Sequence, residues 1–596
     1  MKKRVADIVV ETLYQCGVQH CFAVTGGGAM HLDNALALSQ NIQKVFNHHE
    51  QACAMAAEAY ARYSGNLAAV CVTSGPGGTN TLTGVMGAWQ DSLPMIIISG
   101  QVRYETTIES CGLPLRHRGL QEFNILSTVK NMTKYSVMIK NPLTIKYEIQ
   151  KAIQIAMEGR RGPVWIDIPL DIQSALVDEE KLFEYSYTSF LPQLNISIIN
   201  EIIKQIQKAK RPCVLAGTGI ISSGNRETFH SVFRQSNIPI VGGAWACDIQ
   251  SMDCQNYFGI SGNIGPRTGN FIIQNADVIL VLGSSLAFRQ TGFAQELFAP
   301  HAKIIMIDID EYEPQKPGLR IDKFLHADLT SVFKYLQENN VCFTVSDEWY
   351  EYCQMLKKRF SPYEALEEYS PKNRVSAYYF WKKFEDYAKK DTILALGNNT
   401  ANTAKLQIGI HSSQQRTLTN YTCGSMGYDL PAAIGAAVAS GKEVICSTGD
   451  GSIMMNLQEL QTIHHYNLPI KIIIFSNDGY NAIRQTCKNF FNNTYIGCTP
   501  ESGVSFPDFS KIAEAFEFEY IVCNTGLELD KILNDFISRD GRIILEVKQL
   551  LDDPVIPKVM SRLNDDGTFA TPALHDMSPF LEKKDLESLM FWGEKQ

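Results

Sequence analysis

Short apolar runs separated by stretches of helical periodicity recur in three successive blocks of this chain, and that alternation limits the fold more than any other feature. In the first block the runs fall at 21–24, 68–72, 95–99 and 164–168. In the second they fall at 213–216, 238–241, 278–282 and 303–307, and in the third at 393–396, 444–446, 470–475 and 542–547. A strand that is apolar on both faces must be covered on both, and strands joined through helices run parallel. The pattern predicts an α/β protein with three doubly wound parallel-sheet domains at about 1–178, 195–340 and 375–550, followed by a C-terminal tail, 551–596. The stretches 178–195 and 340–373 are more polar and Pro-punctuated, as linkers are.

Charge and cysteine usage exclude several classes of function. A formal charge of −9 without a basic stripe disfavours nucleic acid and membrane surfaces as partners. No apolar run reaches membrane-spanning length, and the first helix carries Asp7, Glu11 and Thr12 among its apolar positions, unlike a signal peptide. The 15 cysteines sit in apolar contexts without a CxxC pair, so they read as reduced core residues. The expectation is a cytoplasmic protein.

The strongest chemical signal begins with Gly449-Asp450-Gly451-Ser452, which follows the apolar run Val444-Ile445-Cys446. It ends at Asn477-Asp478-Gly479, which follows Ile472-Ile473-Ile474-Phe475. Residues 453–465 between them read as a helix. An acidic residue between glycines can turn its carboxylate outward while the amides of Gly451 and Ser452 face an anion. Asp450, the Asn477 side chain and the Gly479 carbonyl then form an oxygen set suited to Mg²⁺, with Tyr480 next in line. An isolated GDG is more often a tight turn; the strand, helix, strand frame and the closing Asn make the metal reading the stronger one.

With GDG, a spacer of this length and then Asn, the chain resembles thiamine-diphosphate enzymes, and within them the acetolactate synthase group, over nearly its whole length. The resemblance implies pyrimidine-binding, middle and diphosphate-binding domains in that order. It places Glu50, at the start of the small-residue stretch HEQACAMAAEAYARYSG, against the distal nitrogen of the aminopyrimidine; by itself such a glutamate is a favourable charge at a helix start. TSGPGGTN (73–80), with Pro76 and Asn80, is implied to lie against the pyrimidine. Gly27 and Gly28, in a Thr-Gly-Gly-Gly-Ala turn that departs from the family form, are implied to lie beside the reacting carbon, and Gln121 to contact substrate. In Cys423-Gly424-Ser425-Met426-Gly427, Met426 is the candidate wedge between the cofactor rings, and Gly397-Asn398-Asn399 stands where synthases carry Gly-Gln-His over the diphosphate.

Glycine-rich turns of the middle block (216–219, 262–265, 283–285), followed by Arg289-Gln290-Thr291-Gly292 and Asp308-Ile309-Asp310, resemble the synthase domain that holds FAD as a largely structural cofactor. Ser285 replaces an Arg there, and taken alone such turns only end strands. Arg116-His117-Arg118 reads either as a solvated turn or as cations at a site entrance. Thr486 stands in place of a family Trp and Leu120 in place of a Phe, which implies an acceptor pocket wider than pyruvate needs. The function implied is a decarboxylating carboligase that moves an acyl unit from a 2-keto acid, in the first place pyruvate, to an acceptor carbonyl such as a nucleotide-linked keto sugar. The alternative is biosynthetic acetolactate synthase. In the family the Glu50 and Asp450 positions meet across a subunit contact, and the C-terminal segment closes over the site, so a homodimer or tetramer is expected. A cofactor-binding regulator and a nicotinamide dehydrogenase built on the middle block are the readings from other classes; the latter lacks a clear GxGxxG.

Overall fold

A computed structural model describes residues 2–563 and 569–591 of the chain; Asp566, Gly567 and the terminal Gln596 lie outside the described residues. Each of the three blocks forms a six-stranded sheet in which all neighbours run parallel. In the first the spatial order is Gln43–Phe46, His20–Ala23, Ala69–Val72, Met95–Gln101, Pro163–Pro169, Tyr135–Met138. In the third it is Arg416–Leu418, Ile393–Leu396, Val444–Gly449, Ile470–Ser476, Ile543–Lys548, Glu519–Cys523. Counted within its own sheet, each reads 2-1-3-4-6-5. The middle sheet runs Tyr257–Ile260, Ile240–Gly242, Pro212–Ala216, Val278–Leu282, Lys303–Asp308, Lys323–His326, or 3-2-1-4-5-6, the order of dinucleotide-binding sheets. The doubly wound α/β expectation holds, and the two outer units share a plan that the middle one does not.

Apolar clusters cover both faces of each sheet, and one of them is common to the first and third units. Its seam is made by helix Glu50–Ser64 of the first unit against helix Asp429–Ser440 of the third, both rich in alanine, with Gly435 in the second. A Cβ at Gly435 would stand 2.0 Å from the carbonyl oxygen of Ala56, so this approach requires glycine. Tyr428 donates its hydroxyl to buried Glu58 at the same seam, and Arg62 bridges Glu58 and Asp91. Gly435→Ala is expected to push the helices apart and cost about 1–3 kcal/mol, the usual penalty of overpacking. A urea midpoint equal to that of the parent chain would refute this reading of the seam.

Two expectations are corrected. The stretch 453–465 is not one helix but Asp450–Ile453 and Glu459–His465, separated where the Asn456 side chain donates to the Gly427 carbonyl (2.8 Å) and to Gln51 (3.1 Å). The stretch 340–373 is not only linker: it holds helix Asp347–Arg359, whose buried Trp349 donates to the Pro212 carbonyl and fastens the helix to the middle unit. The described tail docks on the middle unit, where Asn270 donates to the Leu574 carbonyl and Asn275 to that of Leu589. An earlier piece of it reaches the third unit, with Asn481 and Gln485 donating to the Asp553 carbonyl. Among the described residues no helix is long and apolar enough to cross a membrane.

Candidate active site

Ligands of open α/β sheets bind beyond the carboxyl ends of the strands, where the strand order reverses. In the third unit that point lies between Ile393–Leu396 and Val444–Gly449, and the motif loops stand there. The Asp450 carboxylate ties them together: Oδ1 accepts from Gly451 N (2.9 Å), and Oδ2 from Asn477 N (2.9 Å) and Gly479 N (3.4 Å). The Gly451 amide therefore faces the Asp450 carboxylate rather than an outside anion, which corrects part of the sequence reading. Burial pushes the Asp450 carboxyl up to about 6, against the pull of these amides. Gly451 is glycine because the Tyr480 ring covers it, and Gly479 because the Cys498 carbonyl would stand 2.0 Å from a Cβ. Asn477 is fixed at both ends of its carboxamide: Oδ1 accepts from buried Arg484 (3.0 Å) and Nδ2 donates to Gln549 (3.0 Å).

The neighbouring loops lock onto this one. Ser452 donates its hydroxyl to Asp429 and accepts the Gly427 amide (2.9 Å), so the Gly449–Ser452 turn and the turn carrying Met426 are coupled. Asn398 donates to the Gly424 carbonyl (2.5 Å) and so joins the first loop of the unit to the Gly424–Met426 turn. Asn399, next to it, caps the following helix through Oδ1 and leaves Nδ2 buried without a partner, with its Cβ against Gly449. An orphaned amide hydrogen pair at the reversal point suits a phosphate oxygen. The family resemblance already sets Asn399 over the diphosphate; read by itself, an Asn at a helix start is explained as a cap, and the partnerless Nδ2 is what the structure adds.

In the first unit the reversal point lies between His20–Ala23 and Ala69–Val72. Gly26 and Gly28 are packed against Thr73 and Ser74, with Thr73 Oγ1 accepting the Gly28 amide (2.9 Å), whereas Gly27 faces open space. Pro76 opens the short helix Pro76–Asn80, and Asn80 donates to the Glu50 carboxylate (2.9 Å). Gln121 lies at φ 62°, and its carbonyl oxygen would be 2.5 Å from a Cβ on Gly75. A non-glycine residue held in the left-handed region beside this loop is the kind of local strain that marks functional segments. Thus Glu50, Asn80, Pro76 and Gln121 border one loop system, with Asp450, Asn477, Gly479 and Met426 in the other. A bridge between the two exists within the chain, since Gln51, next to Glu50, accepts from Asn456, which holds Gly427. Leu120 is 89% exposed, Thr486 and Arg116 are exposed, and Arg118 is tied to its own loop through Ser110 and the Glu105 and Thr107 carbonyls.

The middle reversal point, between Pro212–Ala216 and Val278–Leu282, opens into a cavity of about 670 Å³ lined by Thr218, Gly219, Gly283, Ser285, Asp308 and Arg160. Burial raises the Asp308 carboxyl to about 6, and Arg160 is paired with Asp310 and Glu313.

Comparison with known proteins agrees with this layout. Residues 3–127 match the N-terminal TPP binding domain of thiamine pyrophosphate enzymes, 199–336 the central domain and 395–547 the C-terminal TPP binding domain. The chain is 32% identical to the probable acetolactate synthase large subunit of Methanococcus aeolicus over 568 residues, 91% of each chain. It is 30% identical to acetolactate synthase 1, chloroplastic, of Oryza sativa subsp. japonica over 93% of this chain and 86% of the other. It is 29% identical to the acetolactate synthase isozyme 2 large subunit of Escherichia coli (strain K12) over 91% and 95%. With the three domain matches in order and relatives aligned nearly end to end, the chain belongs to the thiamine pyrophosphate enzymes as an acetolactate synthase-like, carbon–carbon bond-forming transferase.

Proposed function

We propose that the chain binds thiamine diphosphate and Mg²⁺ at the third-unit loops and transfers an acyl unit from a 2-keto acid, in the first place pyruvate, to an acceptor carbonyl. The observation that carries this is the Asp450 carboxylate, which gathers the amides of Asn477 and Gly479 from 27 and 29 residues away at the point where the strand order reverses. All-oxygen donors suit Mg²⁺: Asp450, Asn477 Oδ1, whose second lone pair is left by Arg484, and the Gly479 carbonyl. Asn399 Nδ2 and the Ser452 amide are assigned to the diphosphate, and Gly424, Gly449 and Tyr480 to the walls around it. When bound, thiamine diphosphate supplies the electron sink that lets the acyl carbon, after loss of CO₂, attack a carbonyl.

The protein's own residues then divide the work. Glu50, held by Asn80, keeps a proton between its carboxylate and the aminopyrimidine nitrogen, while Met426, on a turn pinned at Gly427, supports the rings. Gly27, the glycine of its turn with open space before it, and Gln121 face the substrate. The middle cavity is assigned to FAD, on the strand order and on Asp308 at the end of Lys303–Asp308; its volume lies in the range of ligand sites. A homodimer or tetramer in the cytoplasm is proposed as well. Met30, Met86, Met454 and Met455 are exposed in the segments that flank the site loops, as a covered face requires, and the cysteines are free thiols, as in a reducing compartment.

The acceptor is proposed to be bulkier than a four-carbon keto acid, with a nucleotide-linked keto sugar as the candidate, because Leu120 and Thr486 leave exposed positions without an aromatic wall. The names of the relatives favour the second reading, acetolactate synthase itself. Labelled pyruvate offered alone and with larger carbonyl acceptors separates the two by product. Thr486→Trp is expected to depress transfer to the large acceptor about tenfold or more and to spare pyruvate self-condensation, since a clash acts on the larger partner only. Efficient acetolactate formation with no competition from larger carbonyls would leave the second reading standing.

A further inference from the structure

Asp429 is fully buried beneath the third-unit site, and among the described residues no Lys, Arg or His forms an ion pair with it. Burial pushes its carboxyl above the ordinary range. A buried carboxylate without a cation costs several kcal/mol unless hydrogen bonds compensate it. Here they come from the pieces of the site itself. Oδ2 accepts the hydroxyls of Thr448 (2.8 Å), at the end of Val444–Gly449, and of Ser452; Oδ1 accepts the Leu430 amide (3.0 Å). Gly397, before Asn398 and Asn399, lies so close that a Cβ there would be 2.2 Å from Oδ2.

The direction of these bonds matters. Ser452 has one hydroxyl hydrogen and gives it to Asp429, so its oxygen can act toward Gly427 only as an acceptor, and it takes the Gly427 amide at 2.9 Å. The Gly427 carbonyl accepts from Asn456 (2.8 Å), so the peptide groups on both sides of Gly427 are held. Gly427 has φ 82° and immediately follows Met426. We propose that Asp429 is a positioning residue for the cofactor: it sets the Ser452 hydroxyl so that the Met426–Gly427 turn is locked to the Gly449–Ser452 turn. It acts through Ser452 and Gly427, and the Ser452 hydroxyl is thereby unavailable as a donor to the diphosphate. The inference rests on the proposed thiamine diphosphate site.

Asp429→Asn is the test, because a carboxamide of the same shape cannot satisfy Leu430 N–H and both hydroxyls as acceptor only. Two measurements separate the outcomes. In the unliganded full chain, hydrogen exchange at the Gly427 amide is expected to speed up tenfold or more while strand Ile470–Ser476 keeps its protection. In calorimetric titration with Mg²⁺ present, thiamine diphosphate is expected to bind about 10- to 100-fold more weakly, the scale of supporting contacts around a ligand site. Ser452→Ala should weaken it similarly, and the double variant no further than about threefold beyond either single one. Unchanged Gly427 exchange, affinity within twofold of the parent, or losses that multiply in the double variant would each overturn the proposal. A parent chain that binds no thiamine diphosphate defeats the cofactor reading instead, and the exchange result still judges the Asp429–Ser452–Gly427 relay. Should Asp429→Asn fail to fold, Ser452→Ala is expected to weaken binding more than Thr448→Val, which removes the hydroxyl not relayed to Gly427. Equal losses overturn the proposal.

Discussion

Asp450→Ala is expected to remove Mg²⁺-dependent binding of thiamine diphosphate, with the affinity falling by about 10²- to 10³-fold or more, the scale of breaking a buried charge pair. Within the proposed donor set it is the carboxylate, and it also holds the amides of Gly451, Asn477 and Gly479, so the substitution removes both a ligand charge and the anchor of the loop. Asp450→Asn separates the two effects. It retains an acceptor for part of the loop, so a loss of similar size in both variants assigns the effect to the charge. Because burial raises this carboxyl to about 6, the metal must displace a proton as pH falls through that value. Affinity in the parent chain is therefore expected to be flat above about pH 7 and to fall about tenfold per unit below about pH 6, a slope that Asp450→Asn should lack. Titration calorimetry that shows unchanged affinity in Asp450→Ala refutes the assignment.

The interior of each sheet was legible because a strand with neighbours on both sides is apolar on both faces, as in Ile470–Ser476 or Val278–Leu282. In the three six-stranded sheets, the six strands that hydropathy does not mark are the edges: Gln43–Phe46, Tyr135–Met138, Tyr257–Ile260, Lys323–His326, Arg416–Leu418 and Glu519–Cys523. Several carry charged or polar residues, which suits a strand with one neighbour and conceals it in a search for apolar runs. Without those edges, the shared order of the outer units and the distinct order of the middle one were out of reach. The site divides in a similar way. Its loops were legible because glycine, proline and acidic residues are contiguous in the chain. The residues that join the loops were not. Asp429 reads as a charge that complements a helix start and Arg484 as the polar face of helix Asn481–Phe490, each sufficient as a local explanation; Asn399 is set over the diphosphate by resemblance but its own residue type reads as a cap. What they do depends on partners such as Ser452, Gly449 and Asn477, which only the folded chain brings to them.

Glu50→Gln is expected to leave thiamine diphosphate bound and to slow exchange of the proton on its thiazolium carbon by about 10²- to 10⁴-fold, the usual worth of a positioned acid–base group. Two roles compete for this residue. As the first residue of helix Glu50–Ser64 its charge complements the helix dipole, an effect of about 0.3–1 kcal/mol that would change stability slightly and exchange not at all. As the partner of the aminopyrimidine it sets where a proton resides, and the amide cannot do that. The substitution separates them, because Gln retains an oxygen for Asn80 Nδ2, the 2.9 Å contact that holds the carboxylate, and differs chiefly in charge and acidity. Asn80→Ala supplies the converse: it leaves the carboxylate and removes its support, so exchange should slow by a smaller factor while cofactor affinity is largely retained. Exchange followed by NMR in deuterated water at saturating cofactor reads both variants directly, without an acceptor substrate. A rate equal to that of the parent chain in Glu50→Gln would return Glu50 to a helix-end charge. A strong effect in Glu50→Gln with a weaker one in Asn80→Ala is the pattern of an acid–base group and the side chain that aims it.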